Sequence, residues 1–383
     1  MNHQLINYIR NEFIKLFKED PCMVFSPGRI NLIGEHTDYN DGFVLPAAID
    51  MGIISALTKS NTNQSSIVAL DLHQNFDFSI HKMNQNRTGT WKDYVIGVII
   101  EIKKLGKSID DFNLVFGGNI PNGAGLSSSA ALENSIVFGL NELFNLGLSK
   151  LEMILISQNA EHNQVGVQCG IMDQYASMFG QENNLLFLDC RTQVAIPIVL
   201  DLHNFEIILV NTNVKHSLAE SEYNKRRHVC ESIARLLQVD TLRDATEEQL
   251  TAKRNDLLSK DFQMALFIIQ ENNRVTKAVN CIKNKDINSL GSLLYESHIG
   301  LQKQYKVSCP ELDFLVENAK NHSEAVGARM MGGGFGGCTI NIIDKNNVSN
   351  FSKFIQNQYK KKFNKHCSIY QVNLSNGTHL IKT

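Results

Sequence analysis

The chain has 383 residues, of which 43% are hydrophobic, enough apolar material for more than one core and a length that suggests two domains. A formal charge of −2 at pH 7 excludes the net basic field of a nucleic-acid or anionic-membrane binder and points to small-molecule partners. The eight cysteines are scattered without a C-x-x-C pair, so neither a zinc site nor a disulfide framework is spelled out, and reduced thiols in the cytoplasm are expected.

Residues 2–20 mix charges into an apolar pattern of Ile6, Ile9, Phe13, Leu16 and Phe17, which reads as an amphipathic helix and not as a signal peptide. Strand character follows at 22–25, 29–33, 52–58, 66–72 and 76–80, then a helix is expected over 91–105. After a strand at 112–116, a Gly/Pro/Asn-rich stretch over 117–125 leads into long helices at 128–146 and 150–165. Strands are expected at 185–188 and 206–210, helices dominate to about 321, and the chain closes with strands at 325–331 and 338–343, a helix at 348–363 and a strand at 368–372. The longest apolar runs, such as 95–100, are far too short to span a bilayer, so a soluble protein is expected. The domain boundary is placed near residue 205, dividing the chain into 1–205 and 206–383, and no repeat or low-complexity linker is visible.

The strongest local signal is the run Gly123, Ala124, Gly125, Leu126, Ser127, Ser128, Ser129. Glycines let the backbone approach a ligand closely, and a helix starting in the serines would aim unpaired N–H groups and its positive dipole end at an anion. An ordinary glycine turn with a serine N-cap explains a lone G-x-G as well, but three consecutive serines shift the balance toward a phosphate. No lysine follows, so this is not a Walker A loop, and Ser128 replaces the third glycine of the Rossmann fingerprint. Residues 332–337 match G-x-G-x-x-G literally; the β-branched Cys338-Thr339-Ile340 flank implies a hairpin loop and not a dinucleotide site. Neither H-R-D nor D-F-G occurs, which argues against a protein kinase.

Upstream, Glu35, His36, Asp38 and Tyr39 crowd hydrogen-bonding groups into one turn, a composition that suits a polyhydroxylated ligand; a solvated loop is the alternative. Arg29 on the preceding strand is either an edge ion-pair partner or a phosphate contact. Glu161 is either buried on the apolar side of its helix, where a cation would compensate it, or at a helix end near solvent. Asp173 follows a glycine-containing turn and could simply cap a short helix.

With these residues in view, the chain resembles the galactokinase family of the GHMP small-molecule kinase superfamily. Residues 28–42 look like the galactokinase signature, 123–130 like the superfamily's ATP loop, 327–338 like its third, glycine-rich motif, and 169–174 like the segment bearing the catalytic aspartate. The resemblance implies an α+β two-domain fold: an N-terminal domain similar to domain 2 of ribosomal protein S5 and a ferredoxin-like C-terminal domain, with the site between them. It implies transfer of the γ-phosphate of ATP to the C1 hydroxyl of galactose, the first committed step of galactose catabolism. Position by position, Glu35, His36, Thr37, Asp38, Gly170 and Tyr223 would bind the sugar, and residues 123–129 would wrap the ATP phosphates. Ser129 and Glu161 would hold Mg²⁺, Asp173 would accept the C1 proton, Arg29 would stabilise the transferring phosphoryl group and keep Asp173 ionised, and Trp91 would lie near the adenine. No obligatory protein partner is implied. The rivals are a kinase for N-acetylgalactosamine or arabinose, and a non-catalytic galactose and ATP sensor; the intact serine run and Asp173 favour the enzyme.

Overall fold

The computed structural model describes residues 2–83, 85–214 and 219–382, the side chains of 219–221 excepted. The opening helix, His3–Phe17, begins where the Asn2 side chain accepts the backbone N–H groups of Gln4 and Leu5, and it buries Ile6, Ile9 and Phe13. That apolar stripe lies on one face of a six-stranded sheet. The sheet order is His379–Leu380, Cys22–Asn31, Pro46–Lys59, Phe112–Gly118, Ser65–Ala69, Gln74–Phe78. All neighbours run antiparallel except Ser65–Ala69 beside Phe112–Gly118. The two expected strands at 22–25 and 29–33 are one strand, Cys22–Asn31, with a register shift between Pro27 and Arg29. A proline cannot donate to the ladder, so an irregularity there is its natural place.

The helices Lys92–Lys104, Ser128–Phe144 and Lys150–Ala160 pack together on the other face. Lys150–Ala160 starts with a full capping box between Ser149 and Glu152 and ends in a π-turn, Glu161–Val165. The helix expected to reach 165 therefore changes its hydrogen-bonding period at Glu161, a break of the kind often found at functional sites.

A second, all-antiparallel sheet has the order Ala325–Met330, Cys338–Asp344, Phe205–Asn211, Ser368–Gln371. The 332–337 run is the loop of its first hairpin. A small sheet of Phe43–Val44, Asn184–Asp189 and Val194–Val199 adds two strands the sequence did not announce, the first and the last of these. The strand that opens the second sheet begins at Phe205, beside the expected boundary, and His379–Leu380 returns to pair with Val24 and Phe25. The seam is apolar as well. Ile30, Leu32 and Ile33 share a core with Leu209, Val275, Ile340 and Met331. The segment after the first strand, residues 32–42, thus emerges directly over this shared core.

Candidate active site

At the seam, a cavity is lined by Arg29, Glu35, His36, Asp38, Glu161, Val167, Cys169, Met172, Asp173, Tyr223, Gly332 and Gly333. Arg29 leaves the first strand with only 4% of its surface exposed and grips Asp173 in a two-pronged ion pair, Nε to Oδ1 at 2.8 Å and Nη2 to Oδ2 at 2.9 Å. A planar guanidinium on a carboxylate fixes both side chains at once. Its third arm, Nη1, donates to the Gly125 carbonyl at 2.6 Å, and the Ser127 hydroxyl donates to Asp173 Oδ2. Asp173 lies in the first turn of the helix Met172–Phe179, so it is held from three directions and is not a mere cap.

The serine-rich run lies on the other side of this pair. Gly123, Gly125 and Ser127 have φ of +71°, +72° and +58°, a turn that glycine adopts freely and serine only at a cost. The turn delivers the chain into the helix Ser128–Phe144, whose first N–H groups are left without intrahelical partners. Ala124 and Leu126 face the core and offer only their backbone; the Leu126 carbonyl accepts the Arg29 N–H at 3.1 Å. Ser128 and Ser129 line a second cavity with Trp91, Tyr94, Phe116, Ile120, Asn122 and Asp71. A mostly apolar lining that includes an indole and the start of a helix suits a purine nucleotide. The Ser127 to Asp173 hydrogen bond therefore ties the wall of the first cavity to the residue next to Ser128 of the second.

The polar turn is built by buried charge. Glu35 Oε1 accepts from Arg329 Nη2 at 2.6 Å and from the Gly332 N–H at 2.9 Å, leaving Oε2 free of both. Arg329 is fully buried and also donates to the Leu32 and Met330 carbonyls at 3.1 and 2.8 Å. Burial raises the Glu35 carboxyl above the ordinary range, and Arg329 and Arg29 work against that. Asp38 is pushed up to about 7, first by burial and then by the like charge of Asp173. Gly170 is required beside it, because a Cβ there would sit 2.1 Å from Asp38 Oδ2. His36 is held in the left-handed region at φ +64° and is pushed down to about 3, first by burial and then by the Arg226 cation. Its ring packs against those of Tyr223, at 5.5 Å between centroids, and Tyr305, at 4.8 Å.

Among the expected sugar contacts, Gly170 does not line the cavity and neither does Thr37. The Thr37 hydroxyl is turned inward to the Gly34 and Phe43 carbonyls at 2.9 and 2.7 Å. It shapes the turn that carries its neighbours. Glu161 is buried, which settles its position in favour of the inward reading. Beside it Glu133 is wholly buried, and burial followed by the charge of Glu161 raises its carboxyl well above the ordinary range, with the Gln174 side chain working against that. Sequence reading missed Glu133, Arg329 and Tyr305; a buried glutamate one helical turn after Ser129 was the only one with a local signal.

Because Asp38 carries a burial cost whenever it is ionised, Asp38→Asn is expected to raise the melting temperature by a few degrees at pH 8. The gain should shrink as pH falls through about 7 and be gone below the ordinary aspartate value of 3.8, where both folded and unfolded chains hold the proton. Thermal melts of both proteins from pH 4 to pH 8 check this; a pH-independent difference would mean that Asp38 is not the strained group.

Three family models cover the chain: the galactokinase galactose-binding signature at residues 11–59, the GHMP kinases N terminal domain at 93–181 and the GHMP kinases C terminal at 278–361. A galactokinase of Thermosipho africanus is 42% identical over 94% of this chain and 99% of its own. The chain belongs to the galactokinase family. Among others in the family, a Clostridium tetani galactokinase is 36% identical over 99% of both chains. The crystal structure of Lactococcus lactis galactokinase complexed with galactose superposes with a TM-score of 0.93 at 32% identity, covering 98% of this chain and 100% of that one. Methanococcus jannaschii mevalonate kinase matches with a TM-score of 0.68 at 16% identity over 94% of this chain and all of its own, which speaks for the GHMP kinase fold alone. Among the described residues no helix is long and apolar enough to cross a membrane.

Proposed function

We propose that this member of the galactokinase family transfers the γ-phosphate of ATP to the C1 hydroxyl of galactose, giving galactose 1-phosphate and ADP. The observation that carries the reading is the Arg29–Asp173 pair, which faces the polar cavity and is tied through Ser127 to the serine-rich helix start. Phosphoryl transfer has a loose transition state with charge spread over the equatorial oxygens, so positioning and charge stabilisation carry most of the catalysis. A sugar in the cavity would be oriented by Glu35 Oε2, His36, Asp38 and Tyr223, with its C1 hydroxyl toward Asp173. Asp173 keeps unused lone pairs beyond those bound to Arg29 and Ser127, and one of them takes the hydroxyl proton as the oxygen attacks. Arg29, fixed by three hydrogen bonds, presents its charge to the phosphoryl group without reorganising. The backbone of 123–129 and the helix dipole hold the phosphates.

The residues present fit a magnesium ion. A buried pair of carboxylates is costly unless a cation or a proton compensates it, and a serine hydroxyl with a carboxylate is the hard oxygen set Mg²⁺ takes. Ser129 and Glu161 would hold the ion, which neutralises charge on the phosphates when bound. The site lies between the proposed units 1–205 and 206–383, with the last strand given to the first. A cytoplasmic location is part of the reading, since ATP is the co-substrate.

Discrimination falls to groups that bond the C4 hydroxyl in one orientation and are stranded in the other. Coupled ADP-release kinetics on galactose, glucose, N-acetylgalactosamine, arabinose, mevalonate and homoserine test the reading. Galactose is expected to lead glucose by about 10²-fold or more in kcat/KM. Equal values for the two, or a preference for the N-acetyl sugar, would leave the phosphate chemistry attached to the wrong substrate.

A further inference from the structure

His36 is not isolated in its pocket. Its Nδ1 lies 2.9 Å from the Tyr39 hydroxyl, which lies 2.7 Å from the Tyr305 hydroxyl, which lies 3.5 Å from the Cys230 sulfur. The four groups come from three parts of the chain, His36 and Tyr39 from the same turn. Tyr39 sits in the 3₁₀ turn Asp38–Asn40, Tyr305 ends the π-turn Leu301–Tyr305, and Cys230 is on the helix Ala219–Leu237. His36, Tyr305 and Cys230 are all buried, and Tyr39 is partly so. Such a chain can point its protons in either of two directions, and the direction decides which imidazole nitrogen keeps a hydrogen.

Three features choose between them. A neutral imidazole nitrogen is a far better acceptor than a phenol oxygen, and a phenol a better donor than an imidazole N–H, so the Tyr39 hydroxyl donates to Nδ1. At the far end, sulfur is the weaker acceptor of the Cys230–Tyr305 pair, so the thiol hydrogen turns toward the Tyr305 oxygen. At the near end, Nε2 is buried and makes no well-formed hydrogen bond among the described residues, and the carbonyl of Gly333, on the same cavity wall, favours a proton on this ring. A carbonyl oxygen suits an N–H and not a bare lone pair. Burial and the Arg226 cation keep the ring neutral, so a single tautomer is at stake.

We propose that the hydroxyl chain from Cys230 through Tyr305 and Tyr39 locks His36 in the tautomer with its hydrogen on Nε2, so that His36 enters the sugar pocket as a hydrogen-bond donor. Tyr305 and Cys230 are then positioning residues for the substrate, although neither lines the cavity. The turn that binds sugar and the helical segment 219–309 are joined through this chain. The donor role rests on the sugar reading given above, whereas the tautomer itself does not.

The test is long-range ¹⁵N–¹H correlation NMR of histidine-labelled protein without ligand at pH 7, with His36→Asn identifying the signal. The expected pattern places the protonated nitrogen at the one coupled to both Hδ2 and Hε1, which is Nε2. Tyr305→Phe preserves the packing and removes the middle link, and it is expected to shift that pattern toward a mixture of tautomers. The same variant should raise the galactose KM by about three- to tenfold, the worth of one neutral hydrogen bond, with kcat and the ATP KM changed less. A hydrogen on Nδ1 in the unmodified protein overturns the proposal. So does a Tyr305→Phe protein whose His36 signal is unchanged. If Nε2 carries the hydrogen but saturating galactose leaves the ring's signals unmoved, the relay stands and the placement of sugar beside His36 falls.

Discussion

Asp173→Asn is expected to lower kcat by about 10²- to 10⁴-fold while nucleotide binding survives, since a general base contributes on that scale. The amide is nearly isosteric but cannot accept the proton from the C1 hydroxyl. It also disturbs the group that orients the phosphoryl transfer. Both carboxylate oxygens of Asp173 accept from Arg29, at 2.8 and 2.9 Å, so an amide must turn its own N–H₂ toward a guanidinium N–H or toward Ser127. Arg29 would then lose part of its anchoring as well as its charge partner, which places the expected loss toward the upper part of the range. The glycine turn beside the Trp91 cavity loses or weakens the Ser127 contact but keeps the Gly125 carbonyl held by Arg29 at 2.6 Å, so nucleotide binding is expected to survive. Steady-state kinetics by coupled ADP release, paired with calorimetric titration of ADP, measure the two halves separately. A loss of less than about tenfold would remove the base role from Asp173.

Arg329→Met is expected to destabilise the protein by roughly 3–5 kcal/mol, the cost of breaking a buried ion pair from one side. Arg329 has no exposed surface, and its guanidinium serves Glu35 at 2.6 Å together with the Leu32 and Met330 carbonyls. Methionine fills much of the volume, so the loss measures stranded polar groups more than a cavity. Glu35 would keep only the Gly332 N–H at 2.9 Å against a burial that already raises its pKa. Adding Glu35→Gln to Arg329→Met should recover part of the loss, because a neutral amide is cheaper to bury than a lone carboxylate. Urea denaturation of the two single variants and the double variant gives the coupling. Strict additivity would show that the pair does not act as a unit.

Local chemistry was readable along the chain. The helix at 348–363 appears as Val348–Phe363, and the one expected over 91–105 as Lys92–Lys104, because a 3.6-residue apolar period and its caps lie within the helix itself. The 332–337 loop reads correctly as a hairpin, since the β-branched residues after it exclude a helix. Glu35, His36, Asp38, Gly170, Asp173 and the serine run were found as short motifs, and the family resemblance supplied the roles proposed for them. The strand Val194–Val199 was missed: its apolar side chains at Val194, Ile196 and Val199 are exposed, and Pro197 interrupts it. His379–Leu380 was missed too, being two residues whose partners lie near position 24.

The tertiary structure alone decided which of those groups face one another. Thr37 belongs to the motif yet turns inward, whereas Arg329 lies 294 residues from Glu35 and holds it. Tyr305 packs on His36, and Cys230 on Tyr305, from helical segments outside the short motifs. Sequence periodicity reports only the side of an element that is buried. Charge pairing, proton direction and pKa depend on what another part of the chain brings within about 3 Å, and that is set when the two sheets close over their shared apolar seam.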